Sequence, residues 1–159
     1  MTTLPYKNKD MMLTQPNAPL RRVSILAVDK VFASTLMQAK DFFHLASLRY
    51  AKQLGLSLQP MFETRLVSPD GEPVRSFSDV TVPVDGGLEE ADVIILPAFW
   101  DDFSLLCQRY PQILPWLRQQ HARGAVLCGE ASGVFWLAEA GLLDGKEATT
   151  YWRFFNQFA

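Results

Sequence analysis

The chain has 159 residues, 48% of them hydrophobic and 20% charged, which predicts one globular domain with its own core. Fifteen basic and seventeen acidic residues leave a net charge of −2, which argues against a domain that grips nucleic acid through a basic patch. The two cysteines, Cys107 and Cys128, lack metal-ligand spacing. They are expected to be reduced thiols in a cytoplasmic protein, and neither a metal nor a cofactor is expected.

The first 20 residues are polar and contain Pro5, Pro16 and Pro19, so they are predicted to be a flexible leader and not a signal peptide. The most apolar stretch, 93–100, is too short to cross a bilayer. The predicted organisation is therefore a leader over 1–20 and an α/β domain over 21–159, with no membrane partner.

The ordered part begins with an apolar run at 23–28, which is typical of a strand buried on both faces of a parallel sheet. Residues 34–54 repeat apolar side chains at helical spacing, and Gly55 supplies a stop. Residues 58–67 read as a second strand, closed by the turn at 68–71.

A small β excursion is predicted over 72–87, and the β-branched run at 91–97 predicts the next strand. Asp101-Asp102 can cap a helix running to about residue 123, interrupted at Pro111 and Pro115.

A further buried strand is predicted at 125–128, then a tight turn at 129–133 and a helix over 134–140. Residues 146–150 could form a short strand before a last helix rich in aromatic side chains. Alternating strands and helices predict a parallel sheet with helices on both faces. Ligands in such folds lie at the carboxyl ends of the strands, here after Val28, Pro97 and Cys128.

Two segments carry a family resemblance. Residues 133–145 read Gly-Val-Phe-Trp-Leu-Ala-Glu-Ala-Gly-Leu-Leu-Asp-Gly, and 148–152 read Ala-Thr-Thr-Tyr-Trp. They resemble the superfamily of PfpI proteases and class I glutamine amidotransferases, and more narrowly the amino-terminal domain of AraC-type regulators. The resemblance extends over about 21–159, with a weaker match at 41–46. It implies a three-layer, doubly wound, flavodoxin-like α/β fold with a mostly parallel sheet.

The same resemblance implies where functional residues would stand. The tip of the sharp strand-to-helix elbow, often a cysteine in the family, is Ala131, and Ser132 and Gly133 follow it. An acidic residue of the first loop is replaced by Thr35, and a histidine before the tryptophan by Tyr151. Alanine can neither attack a substrate nor form a thiolate. The pattern therefore predicts a binding domain descended from an enzyme.

The predicted function is ligand sensing and dimerisation for an AraC-type transcriptional regulator. A small metabolite bearing an amine or amide is expected, with a homodimer as the assembly. DNA would be bound by a carboxyl-terminal helix-turn-helix domain outside this chain, which is expected to be a piece of a longer protein. Nine residues are predicted to form the ligand site: Thr35, Ala98, Phe99, Trp100, Ala131, Ser132, Gly133, Tyr151 and Trp152.

One alternative is a cysteine-dependent amidase, hydratase or glyoxalase-like enzyme that uses Cys128, at the end of the strand before the elbow. The other interpretation of Cys128 is a small buried core thiol. Ser132 is a second nucleophile candidate, or else the N-cap of the following helix. A further alternative is an interaction module whose pocket is filled.

The remaining polar residues are given structural roles. Glu130 is predicted to be an ion-pair partner or dimer contact, with acid–base catalysis as the other possibility. His44 is predicted to lie on the surface or in a satisfied core position, and His121 near a helix end where a cation is favoured. Asp101-Asp102 are predicted to cap a helix and not to bind a metal.

Overall fold

The structure, a computed structural model, describes residues 20–54, 61–154 and 156. Six strands occur in this part of the chain: β1 (Arg21–Leu26), β2 (Phe62–Val67), β3 (Val74–Arg75), β4 (Thr81–Val82), β5 (Val93–Leu96) and β6 (Val126–Gly129). Four α-helices accompany them: α1 (Ala33–Leu54), α2 (Phe103–Arg109), α3 (Ile113–Ala122) and α4 (Val134–Glu139). Single 3₁₀ turns lie at Ala131–Gly133 and Trp152–Phe154.

Four strands form a parallel sheet in the order β2-β1-β5-β6. The central strand β1 pairs through Ile25 with Leu66 on one side and with Ile95 on the other. All three side chains are buried, as the apolar runs predicted, because helices flank the sheet. The flavodoxin-like α/β architecture expected from the sequence is confirmed.

The strand order reverses between β1 and β5. Helix α1 carries the chain from β1 to β2 at one edge, whereas α2 and α3 carry it from β5 to β6 at the other. Since parallel crossovers are right-handed, the two connections lie on opposite faces of the sheet. The carboxyl ends of β1 and β5 therefore frame a crevice, which is where open α/β sheets bind ligands.

Asp29 fixes the loop that follows β1. One carboxylate oxygen accepts the backbone N–H of Arg75 at 3.0 Å, which ties the loop to the β3–β4 hairpin. The other accepts the hydroxyl of Tyr110 and the guanidinium of Arg109, each at 3.0 Å. The loop at this end of the sheet is thus held from two sides.

The helix predicted over 101–123 is two helices. Asp102 is the N-cap of α2 as expected, since its carboxylate accepts the N–H groups of Ser104 and Leu105. Pro111 lies in the break between α2 and α3. Pro115 was expected to interrupt the helix. It lies instead in the first turn of α3, where a missing N–H breaks no intrahelical bond.

Two expectations about the later chain are wrong. β6 was expected to be buried, but Val126 is 62% exposed, because β6 lies at an edge of the described sheet. Residues 146–150 form no strand, and within the described residues the aromatic segment after them makes a 3₁₀ turn at Trp152–Phe154. The predicted leader (except Leu20), the stop at Gly55 and the strand start at 58–60 lie outside the described residues.

No helix in the described part of the chain has the length and apolarity needed to cross a membrane.

The core lies between the sheet and its helices. Trp136 of α4 is its largest fully buried side chain. Its ring packs edge-on to Phe103 of α2, with 4.9 Å between ring centroids, and 6.1 Å from Phe99 in the loop after β5. Through Phe99, the packing of the core reaches the carboxyl ends of the strands.

Candidate ligand site at the strand-to-helix elbow

A cavity of about 250 Å³ lies at the carboxyl ends of β1, β5 and β6. Its walls come from the three loops that follow these strands and from the segment before the last 3₁₀ turn. Seven residues line it: Phe32, Ala98, Phe99, Trp100, Ala131, Ser132 and Tyr151. Four of these are aromatic and none is charged, so the walls offer ring faces to an occupant.

The loops after β1 and β5 are joined by backbone hydrogen bonds. Phe32 donates its N–H to the carbonyl of Ala98 at 2.9 Å, and Trp100 donates to the carbonyl of Lys30 at 3.0 Å. Lys30 has a φ of 62°, a left-handed conformation that turns the chain sharply. This pairing fixes the backbone that carries Phe32 and Trp100 to the cavity wall.

Ala131 stands at the tip of the elbow. Its φ is 48°, in the left-handed region where residues other than glycine are uncommon. Glu130 before it is extended, and the residues after it turn directly into α4. The strained position therefore falls on the residue that the resemblance placed at the tip. There the cavity meets a methyl group, which cannot act as a nucleophile.

Two glycines allow the elbow to pack tightly. A Cβ added to Gly133 would lie 1.9 Å from the carbonyl oxygen of Leu96, and one added to Gly129 would lie 2.8 Å from the Cα of Val134. Both obstacles are backbone atoms, which cannot move aside as a side chain can. Gly133 therefore lets the elbow close against β5, and Gly129 lets the start of α4 pack against β6.

Ser132 joins the elbow to the loop after β5. Its hydroxyl donates to the carbonyl of Phe99 at 2.7 Å and accepts the N–H of Phe99 at 2.9 Å. The predicted helix N-cap role is wrong, since the hydroxyl makes no capping bond to α4. With its proton committed to a backbone carbonyl and no histidine bonded to it in the described structure, Ser132 is not arranged as a nucleophile.

Three predicted ligand residues do not line the cavity. Thr35 bonds its hydroxyl to the carbonyl of Phe32 at 2.8 Å, in the first turn of α1. Gly133 is buried against Leu96, and Trp152 is 69% exposed outside the cavity. Phe32 was missed, although it lies in the loop after β1 that strand topology marked as functional. The other six predicted residues come together.

The rim carries further aromatic contacts. Trp100 lies 6.2 Å from the ring of Phe77 in the turn between β3 and β4, and the guanidinium of Arg153 lies over the Trp100 ring at 5.4 Å from its centroid. Phe77 also contacts Phe32 at 5.0 Å. The β3–β4 turn and the segment after 150 thus both reach the side chains that line the cavity.

Cys128 lies on β6, three residues before the elbow tip, and does not line the cavity. It is exposed, so the expectation of a buried core thiol is wrong. Partial burial of the thiol and then the negative charge of Glu130 raise its pKa. A raised pKa lowers the thiolate fraction at neutral pH, which disfavours a nucleophilic role.

Glu130 is half-buried, and burial raises the pKa of its carboxyl group. None of the ion pairs found in the described part of the chain includes it, so the ion-pair interpretation is not supported. His44 is exposed on α1, and His121 lies in the last turn of α3, each in accordance with its predicted structural role. The proposed catalytic groups are therefore not assembled at the cavity.

Iodoacetamide is expected to label Cys128 slowly at pH 7.5, more slowly than glutathione, because the thiolate is the reacting form. The rate should rise about tenfold per pH unit until the thiol titrates. Glu130→Gln should speed the reaction by removing the nearby charge. Mass spectrometry of the peptides separates this site from Cys107, whose pKa burial raises to about 11. Fast labelling near neutral pH would instead support a cysteine-dependent enzyme.

The DJ-1/PfpI family model matches residues 57–159 of the chain. The protein belongs to the DJ-1/PfpI family. The HTH-type transcriptional regulator CdhR of Pseudomonas aeruginosa is 33% identical to it over 101 residues, which are 62% of this chain and 29% of CdhR. The chain thus spans less than a third of the length of this relative.

Solved structures share the fold at lower identity. A putative transcriptional regulator from Vibrio parahaemolyticus has a TM-score of 0.71 and 21% identity, over 88% of this chain and 71% of that one. An AraC family transcriptional regulator from Pseudomonas putida has a TM-score of 0.70 and 20% identity, over 87% and 70%. Oxidised DJ-1 of Toxoplasma gondii has a TM-score of 0.67 and 22% identity, over 87% and 71%. The DJ-1/PfpI fold is thus found in proteins named as regulators and in DJ-1 itself.

Proposed function

We propose that this DJ-1/PfpI domain is the non-catalytic, ligand-sensing and dimerising part of an AraC-type transcriptional regulator. The observation that carries the proposal is the elbow: the strained tip position is kept, but Ala131 stands there, and a cavity opens in front of it. The likeness to CdhR supports a role in transcription. A separate helix-turn-helix domain would bind the DNA, because this chain carries a net charge of −2. The regulator would act in the cytoplasm.

The proposal includes the boundary between leader and domain that the sequence predicts. Residues 1–20 form a leader, and 21–159 the DJ-1/PfpI domain. In the described structure β1 begins at Arg21, where the domain was expected to start.

The cavity walls indicate the class of ligand. Its volume of about 250 Å³ lies just below the range usual for drug-sized pockets, so a small metabolite is expected. Aromatic ring faces attract apolar groups and ammonium groups. The amine expected from the sequence suits these ring faces, of which the face of Trp100 is already covered by the guanidinium of Arg153.

A filled pocket would have favoured a plain interaction module. Phe99 is buried on Trp136 and does not fill the opening, and Trp100 remains 40% exposed at the rim. Space remains between them, with Ala131 and Ser132 opposite. The open cavity therefore supports the sensor over the module.

Thermal-shift measurements of the 159-residue chain against small amines, quaternary ammonium compounds, amides and neutral aromatics test the proposal. A ligand at about 100 times its Kd should stabilise the fold by ~2.7 kcal/mol, or roughly 5–10 °C in Tm. The fluorescence of Trp100 at the rim should change with the same concentration dependence.

Ala131→Leu should abolish the shift, because its longer side chain fills the cavity at the tip. Ala122→Leu, on the exposed last residue of α3, is the matched control and should keep it. If no compound in the panel shifts the wild type, or if Ala131→Leu responds as the wild type does, ligand sensing at this site is refuted.

A further inference from the structure

One aromatic ring at the rim of the cavity already holds a cation that belongs to the chain itself. The guanidinium of Arg153 lies 5.4 Å from the centroid of the Trp100 ring. This distance is within the range of a cation–π contact, about 6 Å. None of the ion pairs found among the described residues includes Arg153. In that part of the chain, therefore, no carboxylate competes with the ring for this guanidinium.

Arg153 ends a short segment that crosses from one side of the cavity to the other. This segment, residues 150–153, is named the strap. It begins at Thr150, whose hydroxyl donates to the carbonyl of Ala131 at 3.0 Å, at the tip of the elbow. Tyr151 comes next and lines the cavity. Arg153 then reaches the loop after β5, so the strap forms the part of the wall between this loop and the elbow.

The two ends of the strap are held with different strength. Thr150 is only 9% exposed, so little water competes for its hydrogen bond to the elbow. At the other end Arg153 is exposed, and Trp100 is 40% exposed. A cation–π contact at such a site changes an equilibrium constant by only about two- to fivefold. The strap thus has one end fixed at the elbow tip and one end that is easily released.

A cationic ligand in the cavity would compete with Arg153 for the ring of Trp100. The cavity is lined by four aromatic side chains and no charged one, so an ammonium group that enters is attracted to ring faces. Tryptophan is the ring that attracts cations best. Two cations on one ring repel each other, so a ligand cation weakens the hold of Trp100 on Arg153. A neutral ligand leaves Arg153 in place.

We propose that the Arg153–Trp100 contact is autoinhibitory, and that a cationic ligand displaces Arg153 and releases the strap as it enters the cavity. The inference rests on the proposed function, in which this cavity senses a small ligand, and names how occupation of the cavity is signalled. Release lets the strap turn about Thr150. In the proposed regulator the DNA-binding domain lies on the carboxyl side of the strap, so its movement is passed on along the chain.

The contact lowers the affinity of the cavity for cations. A site that binds only when the contact is open has its Kd raised by the inverse of the open fraction. A contact that is closed about two to five times as often as it is open therefore raises the Kd about three- to sixfold. The Kd of a neutral ligand is not raised, because that ligand does not need the face that Arg153 covers.

Fluorescence titration of the full 159-residue chain with tetramethylammonium tests the proposal, with tert-butanol as the neutral compound of similar size. About 0.5 M sodium chloride reduces the Debye length to about 4 Å and so screens repulsion over longer distances. Arg153→Gln removes the contact and should lower the Kd of tetramethylammonium about three- to sixfold. Any response to tert-butanol should stay the same. Arg22→Gln, which removes an exposed cation from β1 at the other end of the sheet, is the control and should change neither.

Trypsin provides a second measurement on the wild type, because it cleaves after Arg153 only when this side chain has left Trp100. Saturating tetramethylammonium should speed that cleavage about three- to sixfold, whereas ligands usually protect a protein from proteolysis. Cleavage after Lys146, which is exposed and lies outside the strap, should stay unchanged and serves as the internal reference. Mass spectrometry of the peptides follows both sites.

Circular dichroism verifies that each variant is folded. If Arg153→Gln binds tetramethylammonium no more tightly than the wild type, or if the ligand slows cleavage after Arg153, the Arg153–Trp100 contact is not autoinhibitory and ligand sensing still stands. The same conclusion follows if neither protein binds tetramethylammonium but another compound of the thermal-shift panel stabilises the fold. If no compound binds either protein, ligand sensing fails and autoinhibition with it.

Discussion

Gly133→Ala is expected to unfold a large part of the protein. The added Cβ would lie 1.9 Å from the carbonyl oxygen of Leu96 and 2.8 Å from that of Pro97. Overpacking a core costs ~1–3 kcal/mol when side chains give way. Here the elbow and β5 would have to separate, so a loss above ~3 kcal/mol is expected, out of a total of about 5–15 kcal/mol. Urea unfolding followed by circular dichroism measures it.

Whether Gly133→Ala lowers or raises the free energy of unfolding distinguishes the packing clash from the effect of helix propensity. Gly133 has an ordinary φ of −59° at the start of α4, where alanine is the better helix former by up to ~1 kcal/mol. Propensity alone therefore predicts a gain in stability. Gly87→Ala is the control, because its Cβ would meet nothing closer than 3.9 Å, and it should change stability by less than ~0.5 kcal/mol. A Gly133→Ala protein as stable as this control would show that the elbow does not close against β5.

Trp136→Ala is expected to lower the free energy of unfolding by ~3–5 kcal/mol, the usual cost of truncating a large buried aromatic side chain. The ring is fully buried and packs against Phe103 and Phe99. Its removal leaves a cavity directly behind the ligand site. Phe99 loses its support, so the site should also lose its shape.

Denaturant unfolding of Trp136→Ala and of Trp152→Ala provides the measurement. Trp152 is 69% exposed, and its truncation should cost less than ~0.5 kcal/mol. Trp136→Phe keeps part of the ring packing and should fall between them. Equal losses at the two tryptophans would mean that α4 is not packed on the loop after β5. A ligand found in the thermal-shift screen should also bind Trp136→Phe more weakly, through the displaced Phe99.

Much of the fold could be predicted because its strands are apolar runs of the right length. The apolar runs around Ile25 and Ile95 favour central strands, which the flanking helices then bury on both sides. The caps and the glycines likewise act over a few residues, as at Asp102. The elbow was placed by its resemblance to a family pattern and not by residue physics alone. The positive φ of Ala131 now supplies the physical reason for that placement.

Other features depend on residues far apart in sequence and were predicted wrongly. The local pattern at Ser132 indicated a helix cap, but its hydroxyl bonds Phe99, 33 residues away. Val126 has the sequence context of a core strand and lies exposed, because burial depends on what packs against a strand. Residues 146–150 contain two β-branched side chains, Thr149 and Thr150, and form no strand.

The order of strands and helices follows from the sequence, since it depends on composition and spacing over short stretches, and the resemblance to a family pattern placed Ala131 at the elbow tip. The tertiary structure alone decided that Phe32 joins the cavity, that Thr35 and Trp152 stay outside it, and that Ser132 joins two loops. Distances across the chain are fixed only when the sheet closes and aligns the ends of β1, β5 and β6. A wall made by three separate loops therefore cannot be read from any one of them.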